Sequence, residues 1–152
     1  MRDIDQVFLS SLKAKFLRNK IYLSPPDLKG NERSLVTEVF ESNWIAPQGP
    51  MINTFENKLS QMVGSSYAIA LNSATAAIHL GLILLGVKAG DFVLCQSMTF
   101  SASANPILYL GATPIFIDSE IDTWNLCPEA LEEAIVDSIK KGKKPKVIIA
   151  VH

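Results

Sequence analysis

Four short runs with almost no polar interruption constrain this chain more than any other feature. They are "YAIALN" (67–72), "FVLCQ" (92–96), "PIFID" (114–118) and "KVIIAVH" (146–152). A strand with one face in water alternates apolar and polar residues, whereas a strand apolar throughout has both faces covered. Helix signals separate the runs. Residues 75–85 are apolar on nearly every side, which predicts a buried helix. Further on, Pro128 suits a first helical position, and Glu129, Glu132 and Glu133 suit the first turns. Lys140, Lys141 and Gly142 suit the end of that helix, and Leu131, Ile135 and Ile139 form its inward stripe. Between the second and third runs, "SASANPILYLG" holds Pro106, so a helix there either starts near Asn105 or is kinked. Strands of this kind alternating with helices predict an α/β fold, with a mostly parallel sheet covered by helices.

Upstream the pattern is looser. Val7, Phe8, Leu12, Phe16 and Leu17 fall at helical spacing and predict an amphipathic helix within residues 1–20, an extra N-terminal segment. "YLSPPDLKGNE" (22–32) is an irregular entry segment. Leu35, Val36, Val39 and Phe40 line one face of a short helix, and "SNWIAPQGP" (42–50) breaks regular structure. Ile52, Phe55, Leu59 and Met62 share a helical stripe that Gly64 ends. The remainder, 21–152, reads as one domain.

The composition removes several function classes. A chain of 152 residues that is 48% apolar and 19% charged has the balance of a globular protein. Its net charge of −1 gives no basis for nucleic-acid binding or for an anionic membrane surface. The longest apolar run, Ala76–Val87, is too short to span a bilayer. Cys95 and Cys127 have no CxxC neighbour, so no metal site is expected and both read as reduced thiols. Asp3 and Asp5 near the N-terminus argue against a secretory signal, which makes a cytoplasmic home the expectation.

Two segments are candidates for chemistry. Asn72-Ser73 interrupts two apolar runs with small polar residues, and Thr75 opens the second run. At a strand-to-helix junction the first helical N–H groups lack intrahelical partners and carry the positive end of the helix dipole. Ser73-Ala74-Thr75-Ala76 is therefore chemically suited to cradle a phosphate, but taken alone it is a weak signal, since serine is also a common helix N-cap. It matches neither a GxGxxG turn nor a GxxxxGK[ST] loop. "SMTFSAS" (97–103) follows the second run, so it lies at the same carboxyl edge, where open α/β folds bind ligands. Phe100 stands there either as a core plug or as a flat surface for a planar ring.

The motifs "NWIAPQGPMINTFENKL", "AIALNSATAAIHLGLILLGVKAGDFV", "SMTFSASANPILYLGATPIFIDSEIDTWNLCPEALEEAI" and "VIIAVH" occur in an order and spacing that resemble the N-terminal part of the DegT/StrS-type sugar aminotransferases. The resemblance spans about residues 21–152. It implies a fold type I large domain dependent on pyridoxal 5′-phosphate, present in part. It also implies that Ser73, Ala74, Thr75 and Ala76 hold the cofactor phosphate and that Phe100 stacks on the pyridine ring. Most of the family has Ser-Gly-Thr where this chain has Ser73-Ala74-Thr75, and alanine keeps the turn small. Trp44 and the loop to Pro50 resemble a segment near the active-site mouth. Asp118 reads as a solvated turn residue, His79 as a hydrogen-bonded core residue, and His152 is assigned nothing. By the same resemblance the substrates are a nucleotide-linked keto-sugar and glutamate, the products feed surface polysaccharide or glycan synthesis, and the assembly is a homodimer.

In that family the cofactor-bound lysine and the carboxylate facing the pyridine nitrogen come from chain beyond "VIIAVH". No catalytic residue is therefore expected within these 152 residues. Lys140, Lys141, Lys143, Lys144 and Lys146 read as a solvated basic cluster. The resemblance further implies a three-stranded sheet with 92–96 central, and leaves 67–72 without its partner strands. A non-catalytic interaction or regulatory protein derived from the same domain is the alternative reading. An unrelated Rossmann-like nucleotide binder is disfavoured by the absence of a glycine-rich fingerprint.

Overall fold

The computed structural model describes residues 24–151, and these fall in two compact units, Met1–Lys58 and Leu59–His152. The helix expected within residues 1–20, and His152, lie outside the described residues.

In the first unit, α1 spans Glu32–Glu41 and α2 begins at Pro50, running to Val63 across the boundary between the units. Glu32 in the first turn of α1 suits the helix dipole. Asn43, just past its end, takes φ +58°, a left-handed conformation that asparagine tolerates. Leu35, Val36, Val39 and Phe40 share a face as expected. With Ile45 and Met51 they line an open apolar groove of about 340 Å³. Gly64 ends α2 at φ +67°, where the Ser65 N–H reaches back to the Ser60 carbonyl.

The second unit is built on three strands, β1 (Phe92–Gln96), β2 (Thr113–Ile117) and β3 (Val147–Ile149), in the order β2-β1-β3 and all parallel. β1 is central, as the resemblance implies. The other helices are α3 (Ala74–Leu84), α4 (Asn105–Tyr109) and α5 (Pro128–Lys140), with a short 3-10 turn at Ser101–Ser103. The connection from β1 to β2 and the one from β2 to β3 travel in opposite directions across the sheet. Since parallel crossovers are right-handed, α4 and α5 must cover opposite faces. The side chains agree. Val93 and Cys95 form one core with Leu82, Val87, Ile107 and Ala112, packed on by Ile78, Val147 and Ile149. Leu94 and Gln96, paired with Ile115 and Ile117, point to the other face, where α5 lies against β2.

α4 starts at Asn105 with Pro106 in its first turn, where a missing N–H costs nothing. Pro128 opens α5 in the same way, and Gly142 closes it at φ +74°.

Three expectations need correction. Residues 67–72 form no strand: Tyr67, Ile69 and Leu71 are exposed, because a strand exists only through a neighbour and none of the described strands pairs with this run. α3 is not buried on every side, since Leu82 is its one fully buried residue while Leu80, Ile83 and Leu84 are exposed. In α5 the innermost residue is Ser138, whose hydroxyl donates to the Ala134 carbonyl at 2.7 Å, while Ile139 is half exposed. The inward stripe runs through Leu131, Ala134, Ile135 and Ser138.

Candidate functional site

Phe100 lies just beyond the carboxyl end of β1, and the connection from α3 lies at the opposite edge. α3 ends at Leu84, and the chain then passes through Gly86 (φ +73°) and Asp91 into β1. The Gly90 N–H donates to the Gly111 carbonyl at 3.0 Å, and the Thr113 N–H to the Asp91 carbonyl at 2.8 Å. The connection from α3 into β1 is thereby tied to the amino ends of β1 and β2. At its carboxyl end β1 exits through Ser97 to Phe100, and the 3-10 turn that follows packs against α3. The helix that Ser73 caps and the turn that follows Phe100 are thus neighbours.

Ser73 is extended (φ −162°, ψ 157°), and its Oγ accepts the Ala76 N–H at 3.1 Å, while its carbonyl accepts the Ala77 N–H. The serine is therefore an N-cap in fact. Capping uses the third helical N–H and leaves those of Ala74 and Thr75 outside the intrahelical ladder. Ser73 and Ala74 are exposed, and Thr75 and Ala76 half-buried, so an anion has open access to those donors. The residues present fit a phosphate group.

Phe100 is 81% exposed, so it fills no core among the described residues. Its carbonyl accepts the Ser103 N–H at 2.9 Å, and the Thr99 and Ser103 hydroxyls share a 2.8 Å hydrogen bond beneath it. The ring is thus presented by a fixed turn. His79 is half-buried and meets Tyr109 edge-to-face at 5.4 Å, an aromatic contact in place of the expected hydrogen-bonded core position. Trp44 is exposed and covers Gly49. Asp118 is a solvated turn residue as expected, its Oδ1 accepting the Ser119 N–H.

The basic cluster lies at the other end. The Lys143 ammonium sits 4.7 Å from the centroid of Phe92, the first residue of β1, and the Lys146 N–H donates to the Phe92 carbonyl. Lys143 and Lys146 thus lie beside the amino end of β1.

Sequence reasoning missed three features of the carboxyl edge. The buried amide of Gln96 donates to the Trp124 carbonyl and accepts the Val151 N–H. Trp124 adopts φ +65°. A groove of about 300 Å³ opens between Met98, Asp118, Ser119, Glu120, Ile121 and Trp124. Glu120 shapes the turn below that groove: its carboxylate accepts the Thr123 hydroxyl and the N–H groups of Asp122 and Thr123. The Thr123 hydroxyl is the chief reason its pKa falls below the usual glutamate range. Glu129 is also lowered, first by its own backbone N–H and then by the Cys127 thiol. Burial raises the pKa of the Cys95 thiol. Among the described residues no cluster could hold a metal ion, and no helix is long and apolar enough to cross a membrane.

The model of the DegT/DnrJ/EryC1/StrS aminotransferase family matches residues 26–152. The chain belongs to that family. Among relatives of this DegT/DnrJ/EryC1/StrS chain is EpsN of Bacillus subtilis (strain 168), whose name describes a pyridoxal phosphate-dependent aminotransferase. It is 56% identical over 136 residues, 90% of this chain and 35% of EpsN. GDP-perosamine synthase of Escherichia coli O157:H7 is 39% identical over 127 residues, 84% of this chain and 33% of the synthase. A Streptococcus pneumoniae structure titled as a sugar aminotransferase, Spr1654 in its PMP form, superposes with a TM-score of 0.73 at 38% identity. The match covers 86% of this chain and 31% of that one. The chain thus spans about a third of the length of the proteins it matches. Its parallel α/β sheet agrees with a partial fold type I domain.

Proposed function

We propose that residues 21–152 are an incomplete large domain of a sugar aminotransferase, and that they supply the phosphate-holding and ring-stacking part of its site. The parent activity transfers an amino group from glutamate to a nucleotide-linked keto-sugar for surface polysaccharide synthesis, in a cytoplasmic homodimer. What supports the reading is a capped helix N-terminus with two N–H donors outside the helical ladder, and an exposed, turn-fixed phenylalanine just beyond the carboxyl end of β1, in a helix and a turn that pack together. The relatives named above support the class of cofactor and substrate.

In this reading the Ala74 and Thr75 N–H groups, with the Ser73 and Thr75 hydroxyls, orient the cofactor by its phosphate. The Phe100 ring covers one face of the pyridine and keeps water from it. When bound, pyridoxal phosphate supplies the electron sink for amino transfer. The chain's own lysines near β3 lie at the wrong edge to serve as its covalent partner. By itself, then, the chain does not transaminate. The alternative, a non-catalytic pairing protein derived from this domain, is favoured by the large apolar side chains left exposed, among them Phe116 and Ile148 on the sheet.

Pyridoxamine 5′-phosphate, which cannot condense with surface lysines, tests the reading. Calorimetric titration is expected to show binding that drops at least about tenfold when pyridoxamine replaces it, one charge-assisted contact being worth that much. The variant Ala74→Asp, which places a negative charge at the open donors, is expected to abolish binding. Equal binding of the two compounds, or tighter binding of NAD, overturns the assignment.

A further inference from the structure

Gln96, the last residue of the central strand, is 2% exposed, and its side chain makes two contacts far apart in sequence. Nε2 donates to the Trp124 carbonyl at 3.1 Å, and Oε1 accepts the Val151 N–H at 3.2 Å. A buried amide is costly unless its donor and acceptor are used, and here both are. Trp124 is one of two non-glycine residues with positive φ among those described. A bulky residue persists in the left-handed region only where its surroundings over-determine it. The Gln96 donor is the tie on its carbonyl.

The indole has a place to go. With Met98 and Ile121, Trp124 lines the apolar part of the groove at the exit of β2, rimmed by Asp118 and Glu120. The loop is otherwise closed by the Ser119–Leu126 bridge and by the Cys127 N–H donating to the Asp118 carbonyl. Those contacts fix its base; at the tip the Glu120 N–H donates to the Asn125 carbonyl and the Asn125 N–H to the Thr123 hydroxyl, while the Trp124 carbonyl itself is held by Gln96.

We propose that Gln96 is a positioning residue for the carboxyl edge. One amide sets the Trp124 turn so that the indole walls the groove, and the same amide holds the chain leaving β3. The two loops are thereby coupled through the end of β1. This stands on hydrogen-bond geometry and does not depend on the cofactor reading.

The test uses the 152-residue chain carrying Trp44→Phe, so that tryptophan emission reports Trp124 alone. Gln96→Leu removes both contacts. It is expected to red-shift that emission and to speed exchange of the Val151 amide about tenfold, the scale of one lost hydrogen bond. Gln96→Glu separates positioning from packing. Its protonated carboxyl can donate to Trp124 and accept from Val151, whereas its carboxylate can only accept. The variant is expected to match the parent in acid and to depart from it as the introduced carboxyl ionises. Each comparison is made with the parent at the same pH, because Asp118 and Glu120 also face the groove. Unchanged emission and exchange in Gln96→Leu overturn the proposal. A Gln96→Glu variant that differs from the parent equally at every pH overturns it too, and this titration decides even if Gln96→Leu does not fold.

Discussion

Ser73 does two jobs that substitution can separate. Its Oγ caps α3, so Ser73→Ala is expected to lower stability by about 1 kcal/mol, read as a fall in the urea midpoint. Ser73→Asp keeps a capping oxygen but sets a negative charge where an anion would rest. It is expected to hold the midpoint while losing pyridoxamine 5′-phosphate binding. Phe100, open to solvent, gives the converse case: Phe100→Ala is expected to change stability by less than about 0.5 kcal/mol. The two free cysteines should also part. Cys95 is wholly buried with a raised pKa and is expected to resist alkylation in the folded chain, while half-buried Cys127 reacts. The cap at Ser73 and the loop position of Phe100 were legible because a cap, and the loop after a strand, are local facts. The roles of Gln96 and Trp124 were not, since their partners lie 28 residues apart and nothing in either neighbourhood announces the other.

At the scale of elements, composition named the right runs but could not say which would pair. "FVLCQ" and "YAIALN" look alike, yet one is the central strand and the other forms no strand among the described residues. Pairing needs a second chain segment at the right edge, and 67–72 has none here. The turn after β2 is held by Glu120, whose folded pKa is depressed chiefly by the Thr123 hydroxyl. The sign follows: the turn is supported above the carboxyl's unfolded pKa and loses that support as pH falls through the folded value. Protection of the Thr123 amide, measured against its intrinsic exchange rate at each pH, is expected to fall in acid, and Glu120→Gln to flatten that dependence. At the amino edge, Gly111 has φ +68°, and a Cβ there would lie 3.1 Å from the Cβ of Ala89. Gly111→Ala is expected to cost about 1–3 kcal/mol, measured by denaturation.

For the molecule as a whole, what matters is how much apolar surface stays open. β3 pairs on one side only among the described residues, Ile148 on it is half exposed, and Phe116 is open on β2. Unpaired edges and exposed apolar faces favour self-association. Sedimentation velocity is expected to show association growing with concentration, and Ile148→Lys, a charge at that edge, to reduce it. The sequence by itself determined the class of fold and the order of elements from 74 onward, but not the fate of 67–72. The motifs carried the family and the central place of 92–96. Periodicity, caps and turn residues act over a few positions and survive in any single chain. Tertiary structure alone decided which apolar residues are covered, that the lysines face the amino edge, and that one glutamine ties two loops. Burial and hydrogen bonding at those places depend on segments tens of residues away, and no local pattern encodes them.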